Sequence, residues 1–216
     1  MKKKTLTWKT ADQDCRGILL TPDQPKKLTV ILAHGAGASM DTPFMTFFNE
    51  AFAKAGYPSF KFNFPYMEAG KKRPDPQPVL VGCYRRAIEL VGGDVVIGGK
   101  SMGGRIASYV GNDPTVQGLL FLGYPLHPPG RPDQLRDQHL YEITKPMFFA
   151  SGTRDPFAEL ALLDRVLRKI GKYVTSYSIP DGGHSFEVPK KSGKSAAEIQ
   201  QAVVDAALKW LGERRL

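Results

Sequence analysis

The chain has 216 residues, 42% of them hydrophobic and 24% charged, with a formal net charge of +9. That is enough apolar material for one substantial core and short for two, so a single domain over 1–216 is expected. No run of ~20 apolar residues can cross a membrane and no signal-like apolar run follows the basic start, so the expectation is a cytoplasmic protein without a membrane partner.

In chain order, residues 6–9 and 16–20 predict an antiparallel hairpin across ADQD, and the apolar run 28–33 (LTVILA) a buried strand. Residues 42–55 place Phe44, Phe47, Phe48, Phe52 and Ala55 at helical spacing, and Gly56 closes that helix. A strand over 59–64 leads into the proline-rich loop KKRPDPQP, followed by a helix over 79–91 that stops at Gly92-Gly93. Residues 94–98 are a strand and 105–110 a helix; 116–122 and 146–150 are further strands. An amphipathic helix over 157–170, a strand over 173–179 and a helix over 196–211 complete the series. This alternation predicts an α/β fold: a three-layer α/β/α sandwich around a mostly parallel, doubly wound sheet.

Between the strand 94–98 and the helix 105–110 lies Gly99-Lys100-Ser101-Met102-Gly103, a G-x-S-x-G pattern in strand-to-helix context. That is the form of a nucleophile elbow, in which a serine sits on a strained turn and the flanking glycines avoid a Cβ collision. In an open α/β sheet the working residues lie at the carboxyl ends of strands. The strand at 146–150 runs into Asp155, and the last strand into His184. Ser101, Asp155 and His184 thus appear in the order nucleophile, acid, base: the serine needs a base to take its proton, and the base an acid to set its tautomer. Asp155 also reads as a helix N-cap before Pro156, and Asp181 is a rival acid three residues from His184.

An oxyanion needs two convergent backbone donors. Met102 N–H at the helix start is one, and the loop His34-Gly35-Ala36-Gly37-Ala38 supplies the other, at Ala36 or, as second choice, Gly35. His34 braces that loop or contacts substrate. The connection 123–145 is short and proline-rich; it reads as a rigid wall carrying Tyr124, His127 and Arg131 rather than a lid. Lys100, Tyr124 and His127 are candidate substrate contacts. Lys71, Lys72, Arg73, Lys190, Lys191 and Lys194 fall in loops leaving strand ends and are expected to rim the catalytic face, drawing in an anionic ester or an acidic partner.

Other chemistries fit less well. Gly99-Lys100-Ser101 is the end of a phosphate-loop pattern, but that pattern requires glycine where Asp94 stands and a loop where Val95 to Ile97 read as strand. No H-E-x-x-H or comparable cluster is present, so neither metal nor cofactor is expected. The positive charge lacks a nucleic-acid-binding motif or a dense basic-aromatic stripe, so no nucleic-acid partner is expected. Cys15 and Cys83 match no disulfide or C-x-x-C pattern and read as reduced, buried thiols.

HGAGA, GGKSMGGR, GTRDPF and DGGHSF together resemble the small, lidless α/β-hydrolases akin to dienelactone hydrolase, over nearly the whole chain from Leu28 onward. GKSMGGR, GYPLHPPG and GTRDPF resemble more narrowly the branch of the testis-expressed hydrolase-like protein and the hydrolase-like subunit of the nonspecific lethal complex. The resemblance implies the α/β-hydrolase fold with minimal cap and a Ser101, Asp155, His184 triad. The function expected is cleavage of a small carboxylic ester or thioester through an acyl-enzyme; the alternative is a non-catalytic scaffold on the same fold. Ser101 stands where the dienelactone hydrolases proper typically use cysteine, so their specificity does not carry over.

Overall fold

Eight strands form one sheet in the order β1-β2-β4-β3-β5-β6-β7-β8. The structure, a computed structural model, describes residues 1–213. Strands β1 (Lys2–Thr10) and β2 (Gln13–Thr21) make an antiparallel hairpin whose two-residue turn, Ala11-Asp12, has φ of 47° and 59°. Two left-handed residues give the turn a twist that matches the flanking strands. The hairpin is longer than its apolar pattern predicts, because most of β1 is exposed and carries lysine and threonine.

From β4 (Ser59–Phe62) onward the sheet is parallel, through β3 (Thr29–Ala33), β5 (Val95–Lys100), β6 (Val116–Leu122), β7 (Met147–Gly152) and β8 (Val174–Ile179). Alternate side chains of these strands feed two cores. On one face Val30, Leu32, Val96, Leu120 and Phe148 pack on α1 (Pro43–Lys54) and α6 (Ala196–Glu213). On the other, Ile31, Ile97, Phe121 and Phe149 pack on α3 (Gln77–Val91), α4 (Met102–Ser108) and α5 (Leu160–Ile170). Successive side chains of a strand point to opposite faces, so a sheet sandwiched between helices reads as continuous apolar runs.

Two of the boundaries that differ from expectation lie near the site. The strand ending at Phe62 gives way to a four-residue helix, α2 (Pro65–Glu68), because Pro65 occupies its first turn. Helix α5 begins at Leu160 rather than at 157, so Phe157 lies in the preceding turn and is free to serve the site. Cys15 and Cys83, distant in sequence, meet beneath β2 with Sγ atoms 3.5 Å apart as free thiols. Among the described residues, no helix is long and apolar enough to cross a membrane.

Candidate active site

The strand order turns outward on either side of the β3–β5 pair, and the loops at the carboxyl ends of these strands diverge there to leave a crevice. Ser101 sits at its base, between β5 and α4, with φ 52° and ψ −118°. A non-glycine residue in this region is strained and persists only where its surroundings over-determine it. The surroundings are backbone: a Cβ on Gly99 would strike the Ala33 main chain, and one on Gly103 the carbonyls of Ala33 and His34. The two glycines thus let the elbow lie directly on β3. From the other face, the buried Tyr84 hydroxyl takes the Gly98 N–H at 2.8 Å and reaches the Gly98 carbonyl at 2.7 Å, pinning the strand that delivers Ser101.

His184 Nε2 is 2.8 Å from Ser101 Oγ, and His184 Nδ1 is 2.8 and 2.9 Å from the two carboxylate oxygens of Asp155. The Asp155 side chain is fully buried and that of His184 15% exposed. An acceptor-only carboxylate at Nδ1 places the proton there and leaves Nε2 with a lone pair toward the serine hydroxyl. Asp155 Oδ1 also accepts the Phe157 N–H at 2.8 Å, so the residue is a turn cap and a histidine partner at once. The Phe157 ring then lies against the imidazole, centroids 4.2 Å apart. Asp181 is exposed in its turn, where its N–H donates to Thr153 Oγ1 at 2.9 Å. The loop holding His184 is fixed by Glu187, whose carbonyl takes the Gly183 N–H and whose carboxylate takes the Ser185 N–H, each at 2.8 Å.

A cavity of about 340 Å³ opens over Ser101 and His184, walled by Gly35, Ala36, Ala38, Thr42, Phe44, Met45, Lys100, Phe157 and Ser185. His34 stands behind the Gly35 wall, completely buried. Its Nδ1 donates to the Gly35 carbonyl at 2.8 Å and its Nε2 accepts the Phe64 N–H at 3.1 Å. Burial pulls its pKa down to about 4, so the ring is neutral and both nitrogens are occupied. It is a brace, and the expectation that it contacts substrate is corrected.

Two further expected contacts are corrected for the same reason. Tyr124 is 1% exposed and its hydroxyl donates to the Arg136 carbonyl at 2.8 Å. His127 is equally buried: Nδ1 reaches the Pro128 carbonyl at 2.9 Å, Nε2 accepts the Glu159 N–H at 3.2 Å, and its backbone N–H donates to the Phe157 carbonyl at 3.0 Å. It clamps the turn that follows Asp155 rather than facing the cavity. The connection that carries both residues contains only a short 3-10 turn, Gln138–Glu142. Arg131 is exposed on it. The six expected rim cations are all exposed and none lines this cavity; Lys71, Lys72 and Arg73 border a separate depression with Pro74 to Pro76.

Lys100 is the one cation in the cavity wall among the described residues. Sequence reasoning missed Thr42, Phe44 and Met45 as site residues, Phe44 having been read only as part of the apolar face of α1; Thr42 is its N-cap, accepting the Met45 N–H at 3.4 Å. A first turn aimed at the carboxyl ends of neighbouring strands was the available signal.

Residues 26–212 match the model of the alpha/beta hydrolase domain family. Among solved structures, the chain is similar to dienelactone hydrolase from Anabaena variabilis, with 21% identity, 98% of this chain and 97% of that chain covered, and a TM-score of 0.75. It is similar to a serine hydrolase without lid from Xanthomonas campestris, at 17% identity, coverage of 97% and 95%, and a TM-score of 0.77. A third likeness is to the esterase domain of a Rhodothermus marinus protein, at 15% identity, coverage of 96% and 98%, and a TM-score of 0.70. At these identities the likeness is one of fold.

Proposed function

The chain belongs to the alpha/beta hydrolase family, and from that premise we propose that it is a serine hydrolase cleaving a small carboxylic ester or thioester through an acyl-enzyme. One observation carries the reading: the unbroken chain of hydrogen bonds from Ser101 Oγ through His184 to the buried Asp155 carboxylate. Ser101 attacks the scissile carbonyl as its proton passes to His184 Nε2. The imidazolium, held by Asp155, then protonates the leaving alcohol or thiol, and a water activated by the same histidine releases the acid.

The donors for the developing oxyanion are Met102 N–H, one of the unpaired donors at the start of α4, and Ala36 N–H. Ala36 is favoured over Gly35 by the peptide that joins them. The Gly35 carbonyl is turned to the His34 ring and to the Ala38 N–H, at 2.8 and 3.3 Å. In a trans peptide the N–H points opposite to the carbonyl, so Ala36 N–H faces away from His34. Within the family we infer the branch of the testis-expressed and nonspecific-lethal-complex hydrolase-like proteins, on GKSMGGR, GYPLHPPG and GTRDPF.

The test is labelling with a fluorophosphonate probe. The label is expected on Ser101, and Ser101→Ala is expected to remove both label and esterase activity. A chain that takes no label and hydrolyses no member of an ester and thioester panel is instead a scaffold on a hydrolase fold.

A further inference from the structure

Five non-glycine residues have positive φ among the described residues. Ala11 and Asp12 make the hairpin turn, Ser101 is the elbow, and Asp181 stands exposed in a turn. The fifth, Phe186, at φ 68°, lies two residues after His184, and it is 1% exposed. A bulky side chain resists the left-handed region, so the conformation persists only where the surroundings hold it. Residues 183–187 are tied to one another. The Gly183 N–H donates to the Glu187 carbonyl at 2.8 Å, the Phe186 N–H to the Gly183 carbonyl at 3.2 Å, and the Ser185 N–H to the Glu187 carboxylate at 2.8 Å. These bonds close the loop and set its shape. Being internal to it, they do not fix where it sits on the body of the protein.

At its near end the loop is held by the Arg154 N–H, which donates to the Gly182 carbonyl at 2.8 Å. At its far end the Phe186 side chain enters the core shared by α1 and α6, where its ring meets that of Phe44, centres 5.6 Å apart. Phe44 belongs to the first turn of α1 and also lines the cavity. His184 thus rides on a closed loop pegged on both sides, by a backbone bond before it and an aromatic ring after it. Glycine would meet the backbone requirement at 186 without strain, so what the aromatic adds is the buried ring. With the ring withdrawn, the backbone at 186 would relax toward negative φ, and the peptide planes that carry His184 would turn with it. We propose that Phe186 is a positioning residue for the Ser101 centre: its buried ring seats the His184 loop so that Nε2 stays 2.8 Å from Ser101 Oγ. Asp155 orients the imidazole, and Phe186 places the backbone that bears it. The assignment rests on the serine-hydrolase reading above. A misplacement of about 1 Å at a reacting group costs on the order of a hundredfold in rate, so a peg outside the chemistry suffices to govern kcat.

The test measures kcat and KM for a neutral ester, with kcat referred to the fraction of protein that fluorophosphonate labels at completion. Phe186→Leu keeps an apolar side chain for the same seat, Phe186→Ala removes it, and Phe186→Gly removes it while freeing the backbone. Phe186→Leu is expected to stay within about twofold of wild type, and the other two to lose about tenfold or more in kcat with a smaller change in KM. Val203→Ala, in the same core but on α6, is expected to lower the melting temperature and leave kcat per labelled site unchanged. In NMR spectra, the downfield resonance of the proton between His184 Nδ1 and Asp155 is expected in wild type and Phe186→Leu and is expected to be lost in Phe186→Gly. Wild-type kcat in Phe186→Gly overturns the proposal, because the turn alone would then suffice. So does a fall in Val203→Ala as large as that in Phe186→Ala, because lost stability would then explain both. Should neither small variant fold, Phe186→Val replaces them: it shortens the side chain, is expected to lose about threefold or more in kcat, and at wild-type kcat overturns the proposal. A labelled wild type with no loss in any Phe186 variant removes only the role of Phe186, whereas no labelling and no ester turnover removes the hydrolase reading and this one with it.

Discussion

Asp155 grips His184 with both carboxylate oxygens, at 2.8 and 2.9 Å, while one of those oxygens also holds the Phe157 N–H. The two tasks can be separated by Asp155→Asn. The amide oxygen still accepts the Phe157 N–H, but the NH2 group faces the imidazole and drives it to the tautomer protonated at Nε2, which cannot take the Ser101 proton. The expected result is a fall in kcat of about ten-thousand-fold with little change in melting temperature. Asp155→Ala loses the turn bond as well and is expected to lower both. Thermal melts beside steady-state kinetics distinguish the pair.

Burial pulls the Lys100 pKa down from 10.5 to about 8, against the favourable influence of Asp155 and Glu187. Between those two values the unfolded chain binds the proton more tightly than the folded one, so this residue's contribution to stability rises with pH there. Below about 8 the folded protein bears the full cost of the buried charge, about 3 kcal/mol by the size of the shift. Lys100→Met is therefore expected to be more stable than wild type at pH about 7, with the gap narrowing toward pH about 10. Denaturant unfolding of both proteins at the two pH values measures it. A gap that is absent, or that widens with pH, contradicts the buried charge.

How far the sequence was readable follows from what each residue's neighbours encode. The parallel strands were legible because both faces are buried and the chain writes them as uninterrupted apolar runs, LTVILA among them. Ser101, Asp155 and His184 were legible because each follows a strand whose carboxyl end it must leave. The N-terminal hairpin was legible only in part, since its outer strand is mostly exposed and carries no core pattern. Tyr124 and His127 were misread as substrate contacts, and His34, read as a brace or a contact, is a brace; whether a polar ring faces a cavity or a carbonyl depends on loops far away in sequence: Arg136 for Tyr124, Glu159 for His127, Phe64 for His34. Lys100 was visible as a charge beside the serine. That its ammonium is buried without a partner depends on Phe44 and Gly123, which only folding brings there.

His34 joins two loops, bonding the Gly35 carbonyl on one side and the Phe64 N–H on the other. His34→Ala leaves both groups unpaired in a buried place and opens a void, so a loss of about 3 kcal/mol is expected. Because the Gly35–Ala36 peptide loses its anchor, kcat is expected to fall more than KM changes. The folded pKa near 4 lies below the ordinary 6.5, so the unfolded chain binds more protons in that window and wild-type stability is lost as pH falls through it. His139, also drawn to about 4 by burial and by Arg105, acts in the same direction. The acid limb of the stability curve is expected to be shallower in His34→Ala, which calorimetry across this range would show.

The elbow offers a test of geometry apart from chemistry. Gly103 and Gly212 both lie in helices, and helical propensity alone favours alanine over glycine at each by about 1 kcal/mol. At Gly212 a Cβ meets nothing within 4 Å among the described residues, so Gly212→Ala is expected to be neutral or slightly stabilising. At Gly103 it meets the carbonyls of Ala33 and His34, which cannot swing aside as a flexible side chain could. Either α4 lifts from β3 or the loop after β3 moves, and both carry donors proposed for the oxyanion. Gly103→Ala is therefore expected to cost about 2 kcal/mol or more despite the better propensity. Activity is expected to fall further than that stability loss explains, since a displaced donor acts directly on the transition state. Melting temperatures of the two variants, read beside turnover of a neutral ester, settle it: equal stability for both would mean that the elbow does not rest on β3 through Gly103.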